Sequence, residues 1–210
     1  MTGLELKTLS ESILDGLTID TDFYYQLLNI AKTKLEEQRL WQYLKKLNSS
    51  NIASSAVVTL PTDLAEEYKI LVGTNNEYSP VPFEEQHIYA RSSGRYFIDW
   101  SALTLKLLGS TIPSQTLYIF YKRFTPDIAA DTEPVFPERF HPLLAYYVAA
   151  YYQSGVDSDD VFARMAPENR LAALELERAM KQWDSSIAMR AQNNQIGVAN
   201  TSSEVPLDMM

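Results

Sequence analysis

IPSQTLYIFYKRF, residues 112–124, is the stretch on which the fold class turns. Leu117, Ile119 and Tyr121 alternate with Tyr118, Phe120 and Lys122. That is the period of two in which successive side chains point to opposite faces of a strand. On either side of this region the period changes. Upstream, Phe23, Leu27, Ile30, Ala31 and Leu35, with the stem of Lys34, recur at steps of three and four. They predict a helix from Asp20 or Thr21 to Glu37 or Gln38. A shorter helix precedes it, carried by Leu6, Leu9, Ile13 and Leu14, capped by Thr8 or Ser10 and ended near Gly16. Downstream, Phe140, Leu143, Leu144, Tyr147, Val148 and Tyr151 share one helical face. Pro142 falls in the first turn, where its missing N–H costs little, and Gly155 ends the helix. A last helix from Pro167 to about Ala191 carries the stripe Leu176, Met180, Trp183 and Ile187.

Between the helical blocks the chain reads as short strands. VVTL (57–60) is one, stopped by Pro61, and TDLAEE (62–67) is a helical turn. EYKILVG (67–73) is a strand, and YSPVPF (78–83) is an edge strand because of Pro80 and Pro82. FEEQHIYAR (83–91) forms helical turns, and RYFIDWSAL (95–103) and LTLKLLG (103–109) are strands. NSSNIASS (48–55) is a loop by composition, while Leu40, Tyr43 and Leu44 suit helix or strand equally. Five to seven strands at this spacing predict a small antiparallel sandwich or barrel. The expected fold class is therefore α+β. Residues 1–40 and 134–192 form a helical bundle, residues 41–133 an inserted antiparallel β-domain with its linker, and 193–210 an extended C-terminal tail.

The chain has 210 residues, enough for one domain with a sizeable insertion. It carries 18 basic and 27 acidic residues, a net charge of -9. The excess is spread out: -3 over residues 1–40, and -2 over each of 41–133, 134–192 and 193–210. No segment is a basic module, which argues against a grip on a phosphate backbone. Cysteine is absent, which excludes disulfides, thiolate metal sites, iron–sulfur clusters and cysteine nucleophiles. No apolar run approaches the roughly 20 residues of a membrane span. The opening MTGLELKTLSES lacks the basic and apolar regions of a signal peptide, so the expectation is a soluble protein made in a cytoplasm.

Candidate chemistry is sparse. His87 and His141 are the only histidines, and neither stands in a spaced ligand motif such as HExxH. Both are expected in structural or surface roles. Glu84–Glu85 read as a solvated turn, and Asp157, Asp159 and Asp160 as a helix N-terminus, where the dipole favours carboxylates. The seven glycines make no phosphate-cradling loop, and GxSxG is missing. Lys45–Lys46 beside Tyr43 and Lys122–Arg123 beside Tyr121 could form a nucleic-acid surface. Alternating solvent-facing positions on strands explain them more simply. No catalytic residue, metal site or cofactor is expected.

Taken in order, several stretches resemble the head-to-tail adaptor (connector) proteins of tailed bacteriophages, in the version called the tail tubular protein A type. They are RLWQYLKKL (39–47), VVTLPTDLAEEYKI (57–70), RYFIDWSALTLKL (95–107), SQTLYIFYKRFTPDI (114–128) and DTEPVFPERFHPLLAYYVAAYY (131–152). The helices of 158–191 resemble the closing pair of that family. The resemblance implies a structural virion protein at the head–tail junction, without catalysis. Its implied partners are the portal protein above and a tail or nozzle protein below, in a ring of about twelve copies closed by head-to-tail contacts. Genome DNA would pass through the channel without sequence-specific binding, and no membrane is involved. A like-charged lumen would let DNA slide. The same electrostatics predict monomers or weak oligomers in isolation and a ring once portal supplies a template. Two other classes fit the texture: another phage stopper or tail-completion protein, and an enzyme with a site between bundle and β-domain.

Residues 193–210 contain no Lys or Arg and show no period. Alone, such a segment cannot offset an ordering entropy of about 1–2 kcal/mol per residue. It is expected to dock on portal or on a neighbouring copy, with Ile196, Val198, Val205, Leu207, Met209 and Met210 as apolar anchors. Folding back on its own bundle is the alternative.

Overall fold

The structure is a computed structural model that describes residues 1–52, 57–109, 114–155 and 162–201, with backbone alone from 191 onward. The chain divides into two compact units, Met1–Tyr43 with Pro126–Met210, and Leu44–Thr125. Among the described residues the first holds four α-helices: α1 (Gly3–Ile13), α2 (Thr21–Glu37), α3 (His141–Ser154) and α4 (Pro167–Thr201). The described residues of the second form seven strands: β1 (Lys45–Asn51), β2 (Val57–Thr59), β3 (Leu64–Val72), β4 (Asn76–Pro80), β5 (Arg95–Asp99), β6 (Thr104–Leu108) and β7 (Thr116–Arg123). The class is α+β, as the switch of period from 3.6 to 2 and back requires.

In the helical unit α3 is the centre, packed on α1, α2 and α4. Leu143, Leu144, Ala145, Val148, Ala149 and Ala150 are sealed from solvent, and Phe140, Tyr147 and Tyr151 nearly so. Its alanines let neighbours approach on the sides the large residues do not fill. Pro142 lies in the first turn, and Gly155 caps the end with φ +83, a conformation that costs glycine nothing.

Two helix readings need correction. The cap of α1 is Thr2, not Thr8 or Ser10. The Glu5 N–H donates to Thr2 Oγ1 (3.4 Å), and the Thr2 N–H donates to the Glu5 carboxylate (2.8 Å), a reciprocal box. Thr8 and Ser10 lie inside the helix and donate to the carbonyls of Leu4 and Leu6. In α2 the buried face is Tyr24, Leu27, Leu28, Ala31, Lys32 and Leu35, while Phe23 and Ile30 are exposed. Leu27, Ala31 and Leu35 are common to both stripes, so the periodicity holds and the face turns by part of a step. The deciding residue is Lys32. Its ammonium is satisfied by the Pro126 carbonyl (2.9 Å) and Asp127 (3.2 Å), so a position that reads as polar can be inside.

In the strand unit the order is β1-β7-β3-β4-β5-β6-β2. β7 is a central strand. Leu117, Ile119 and Tyr121 are buried, and Tyr118, Phe120 and Lys122 alternate with them on the more open face. The two halves of the sheet share one core, in which Leu64, Ile70, Val72, Leu117 and Ile119 meet Tyr96, Leu105 and Leu107. The sheet is thus folded over into a nearly closed barrel-like shape.

Three strand readings also change. Residues 48–51, read as loop, belong to β1, which pairs with β7 over seven positions from Lys45↔Lys122 to Asn51↔Thr116. The strand is made by the backbone ladder, not by side-chain alternation, which is why its polar composition hid it. The helical turn at 62–67 shrinks to a bend closed by Leu64 N–H to Pro61 carbonyl (3.2 Å), and β3 begins at once. β4 is not an edge strand. It pairs antiparallel with β3 and, over Ser79↔Arg95 and Pro80↔Tyr96, parallel with β5, the one parallel junction in the sheet. The 81–94 connection is long enough for that crossover. Pro80 is tolerated because the donors on that side are Ser79, to the Gly94 carbonyl (3.0 Å), and Val81, to the Tyr96 carbonyl (2.8 Å), and pairing to β3 stops at Tyr78.

Candidate interaction site

Among the described residues, those with catalytic potential do not converge. His141 is 2% exposed, with Nε2 2.8 Å from the Phe136 carbonyl and Nδ1 3.0 Å from the Met1 amino nitrogen. The ammonium can only donate, so Nδ1 accepts and Nε2–H donates. Burial pushes the imidazole below its usual range. Both ring nitrogens are spent on structure. His87, Glu84 and Glu85 are exposed, on and after the 3-10 turn Phe83–Glu85. Asp157, Asp159 and Asp160 lie outside the described residues. Among the described residues no group of three or more His, Cys, Asp or Glu could hold a metal ion, and no helix is long and apolar enough to cross a membrane. Lys46 donates to Asp63 (2.6 Å), which also accepts from Tyr121 Oη (2.9 Å). Burial opposes the Asp63 charge, yet these hydrogen bonds outweigh it and hold the carboxyl below its ordinary range. The same site pushes the Tyr121 phenol up to about 12, chiefly through burial. Lys46 and Tyr121 of the candidate nucleic-acid surface are thus engaged with a carboxylate.

What the helical unit does build is a set of staples on the two segments that lead into and out of the strands. Leaving α2, the Gln42 N–H donates to Asp184 (2.6 Å), and the Arg39 guanidinium pairs with the same carboxylate at 3.2 Å. Asp184 is wholly buried, and Arg39 also covers the Trp41 ring at 5.3 Å. The second carboxylate oxygen lies at ion-pair distance from Arg39 without hydrogen-bond geometry. Trp41 itself is fully buried and donates to the Leu35 carbonyl (2.8 Å). On the return, Asn29 holds Ile128 by two hydrogen bonds, to its carbonyl and from its N–H (3.1 and 2.8 Å). Lys32 holds Pro126 and Asp127 beside them. Chemically this is positioning: buried polar groups fix the backbone of both connections.

Asp184 escaped the sequence reading. Its signal was there: it sits four residues after Met180, on the same helical face, a charge inside an apolar stripe. Of that stripe Met180 is fully buried, whereas Leu176, Trp183 and Ile187 are half-buried. Helix α4 has 35 residues, about 52 Å of rise. It runs to Thr201, past the stop expected near Ala191, so Ile196 and Val198 stand on helical backbone and not on an extended tail. Extending a formed helix adds one hydrogen bond per residue, and no proline intervenes before Pro206. Val205, Leu207, Met209 and Met210 lie outside the described residues.

Large apolar side chains remain exposed on α4, among them Leu171, Leu174 and Met189. A long helix that is only narrowly buried in its own unit and exposes large apolar side chains has the features of an interaction scaffold. No curated protein matches this sequence. Residues 1–197 match the model of the SU10 adaptor protein family, and the chain therefore belongs to that family of phage structural adaptor proteins.

Proposed function

We propose that this protein is a head-to-tail adaptor of the tail tubular protein A type, which joins the portal of the capsid to the tail. The observation that carries this reading is the family match over residues 1–197. Copies assemble as a ring of about twelve beneath the portal, with a tail or nozzle protein below, by heterologous contacts whose rotation closes. Genome DNA passes through the channel during ejection. The net charge of -9 per copy supports that use, since an acidic wall repels the duplex and offers it no binding site. The C-terminal residues from Ile196 onward contribute docking contacts, on portal or on a neighbouring copy. The protein acts without catalysis, in keeping with its membership of a structural adaptor family.

The test is native mass measurement of the purified protein alone and mixed with portal. The expected result is monomers or small oligomers alone, and about one adaptor ring per portal in the mixture. A stable ring at micromolar concentration without portal would overturn the templated assembly. Failure to bind portal at all would overturn the adaptor reading.

A further inference from the structure

Between α4 and the 3-10 turn Glu138–Phe140 runs a groove of unusual chemistry. Its floor is apolar: Phe140, Leu176, Trp183 and Ile187. The Phe140 and Trp183 rings meet at 5.7 Å. Its rim is cationic. Arg139 lies over Phe140 at 4.6 Å and over Trp183 at 5.9 Å, and Arg190 borders the far end. Both arginines are exposed, and among the described residues neither has a carboxylate partner. In a chain with 27 acidic residues, two unpaired arginines flanking an aromatic floor need an explanation. Trp and Arg side by side are the residue types that dominate binding hot spots.

We propose that this groove receives residues 202–210, SSEVPLDMM, of a second copy of this chain. The inference rests on the reading that copies assemble side by side. The segment complements the groove in both respects: Glu204 and Asp208 are its only charged side chains, and Val205, Leu207, Met209 and Met210 are its large apolar ones. Spacing agrees too. Glu204 and Asp208 stand about 13 Å apart in an extended chain, and Arg190 lies about 10 Å of helix rise beyond Trp183, the ring that Arg139 covers.

Chain length favours a second copy over the same one. α4 stays helical through Thr201, which carries the backbone about 16 Å beyond Arg190. A segment turning back at 202 would use about five residues to regain Arg190. Glu204 and Val205 would then lie outside the groove, and only the last residues would reach Trp183. A neighbour's segment can occupy the whole floor. The contact is heterologous, tail of one copy to groove of the next, and so propagates around a closed ring.

The chain has no cysteine, so single thiols can be placed at will. One population of the full-length protein carries Gln182→Cys in the groove, and the other, labelled with heavy isotopes, carries Leu207→Cys. They are mixed, alone and with portal, and treated with a short bis-maleimide. The expected result is a mixed crosslink at least about tenfold above either homodimer. It should be lost on Arg139→Glu with Arg190→Glu and regained when Glu204→Lys and Asp208→Lys are added. That regain also shows that the reversed arginines had not unfolded the chain. A double variant, Gln182→Cys with Leu207→Cys, that crosslinks only within its own chain means the groove takes its own tail and overturns the proposal. So does absence of the mixed crosslink with and without portal, as when the segment docks on portal, or a crosslink indifferent to charge reversal. A normal ring on portal without the crosslink sinks this inference and leaves the adaptor reading intact. The crosslink without portal binding does the reverse.

Discussion

Helices α3 and α4 belong to one unit and obey opposite rules. α3 is apolar on nearly every side and buried on nearly every side, its large residues on one face and alanines on the others. α4 is more than twice as long, yet only Ala173, Met180 and Asp184 are fully buried along its described side chains. A helix sealed within its own chain owes its stability to core packing. One that buries a single narrow line, anchored by a charge, leaves most of its surface for others. The contrast separates what makes the unit fold from what it has to offer a partner.

The sharpest way to break the comparison is to truncate one fully buried side chain in each helix to alanine. Leu144→Ala removes a fully enclosed side chain from α3. It should cost about 2–5 kcal/mol in denaturant unfolding. Asp184→Ala tests whether α4 is held by charge. It strands the Gln42 N–H and uncouples Arg39. Because Arg39 is partly exposed and solvent-screened, the expected loss is about 2–3 kcal/mol, with faster amide exchange over residues 39–43. A loss below half a kilocalorie would mean that the stripe, and not the carboxylate, anchors the helix.

Gly3→Ala probes the packing at the start of α1. A Cβ there would meet the Ala129 carbonyl oxygen at 2.1 Å, so backbone has to move, at about 1–3 kcal/mol by thermal melting. A smaller effect is expected from pH. His141 has a lowered pKa in the folded state, so its contribution is present above the unfolded value and lost as pH falls below about 6.5 towards the folded value. Asp63, also lowered, loses its contribution in the same direction but further into acid. Unfolding midpoints should therefore drop on acidification, and His141→Gln should flatten the upper part of that drop. The smallest effects belong to exposed Leu174→Ala and Met189→Ala, within about 0.5 kcal/mol for the isolated chain. A large loss at either site would show that α4 is packed within its own chain after all.

Much of the fold was legible in advance, and the legible parts share a cause. The six large residues assigned to the α3 face are all buried, and the alternation in 116–123 places its buried residues as read. In both, one periodic pattern faces one core, so the burial that drives folding is written directly into the spacing. The candidate site was less legible. Arg139 and Trp183 are 44 positions apart, and nothing in either neighbourhood announces that their side chains stack.

By itself, the sequence determined the α+β class, the helical blocks at both ends, the strand character of the middle, and the absence of cysteine chemistry. These follow from composition and local period, which act through near neighbours. Tertiary structure alone decided the rest. It turned the α2 face towards Lys32, because a carbonyl and a carboxylate from residues 126 and 127 arrive to satisfy the ammonium. It made a strand of KKLNSSN, because β7 supplies the ladder. It buried Asp184, because Arg39 and the Gln42 N–H converge on it from the far end of α2. In each case the energy that chose the outcome is a polar partner distant in sequence, and a periodicity carries no information about partners it does not contain.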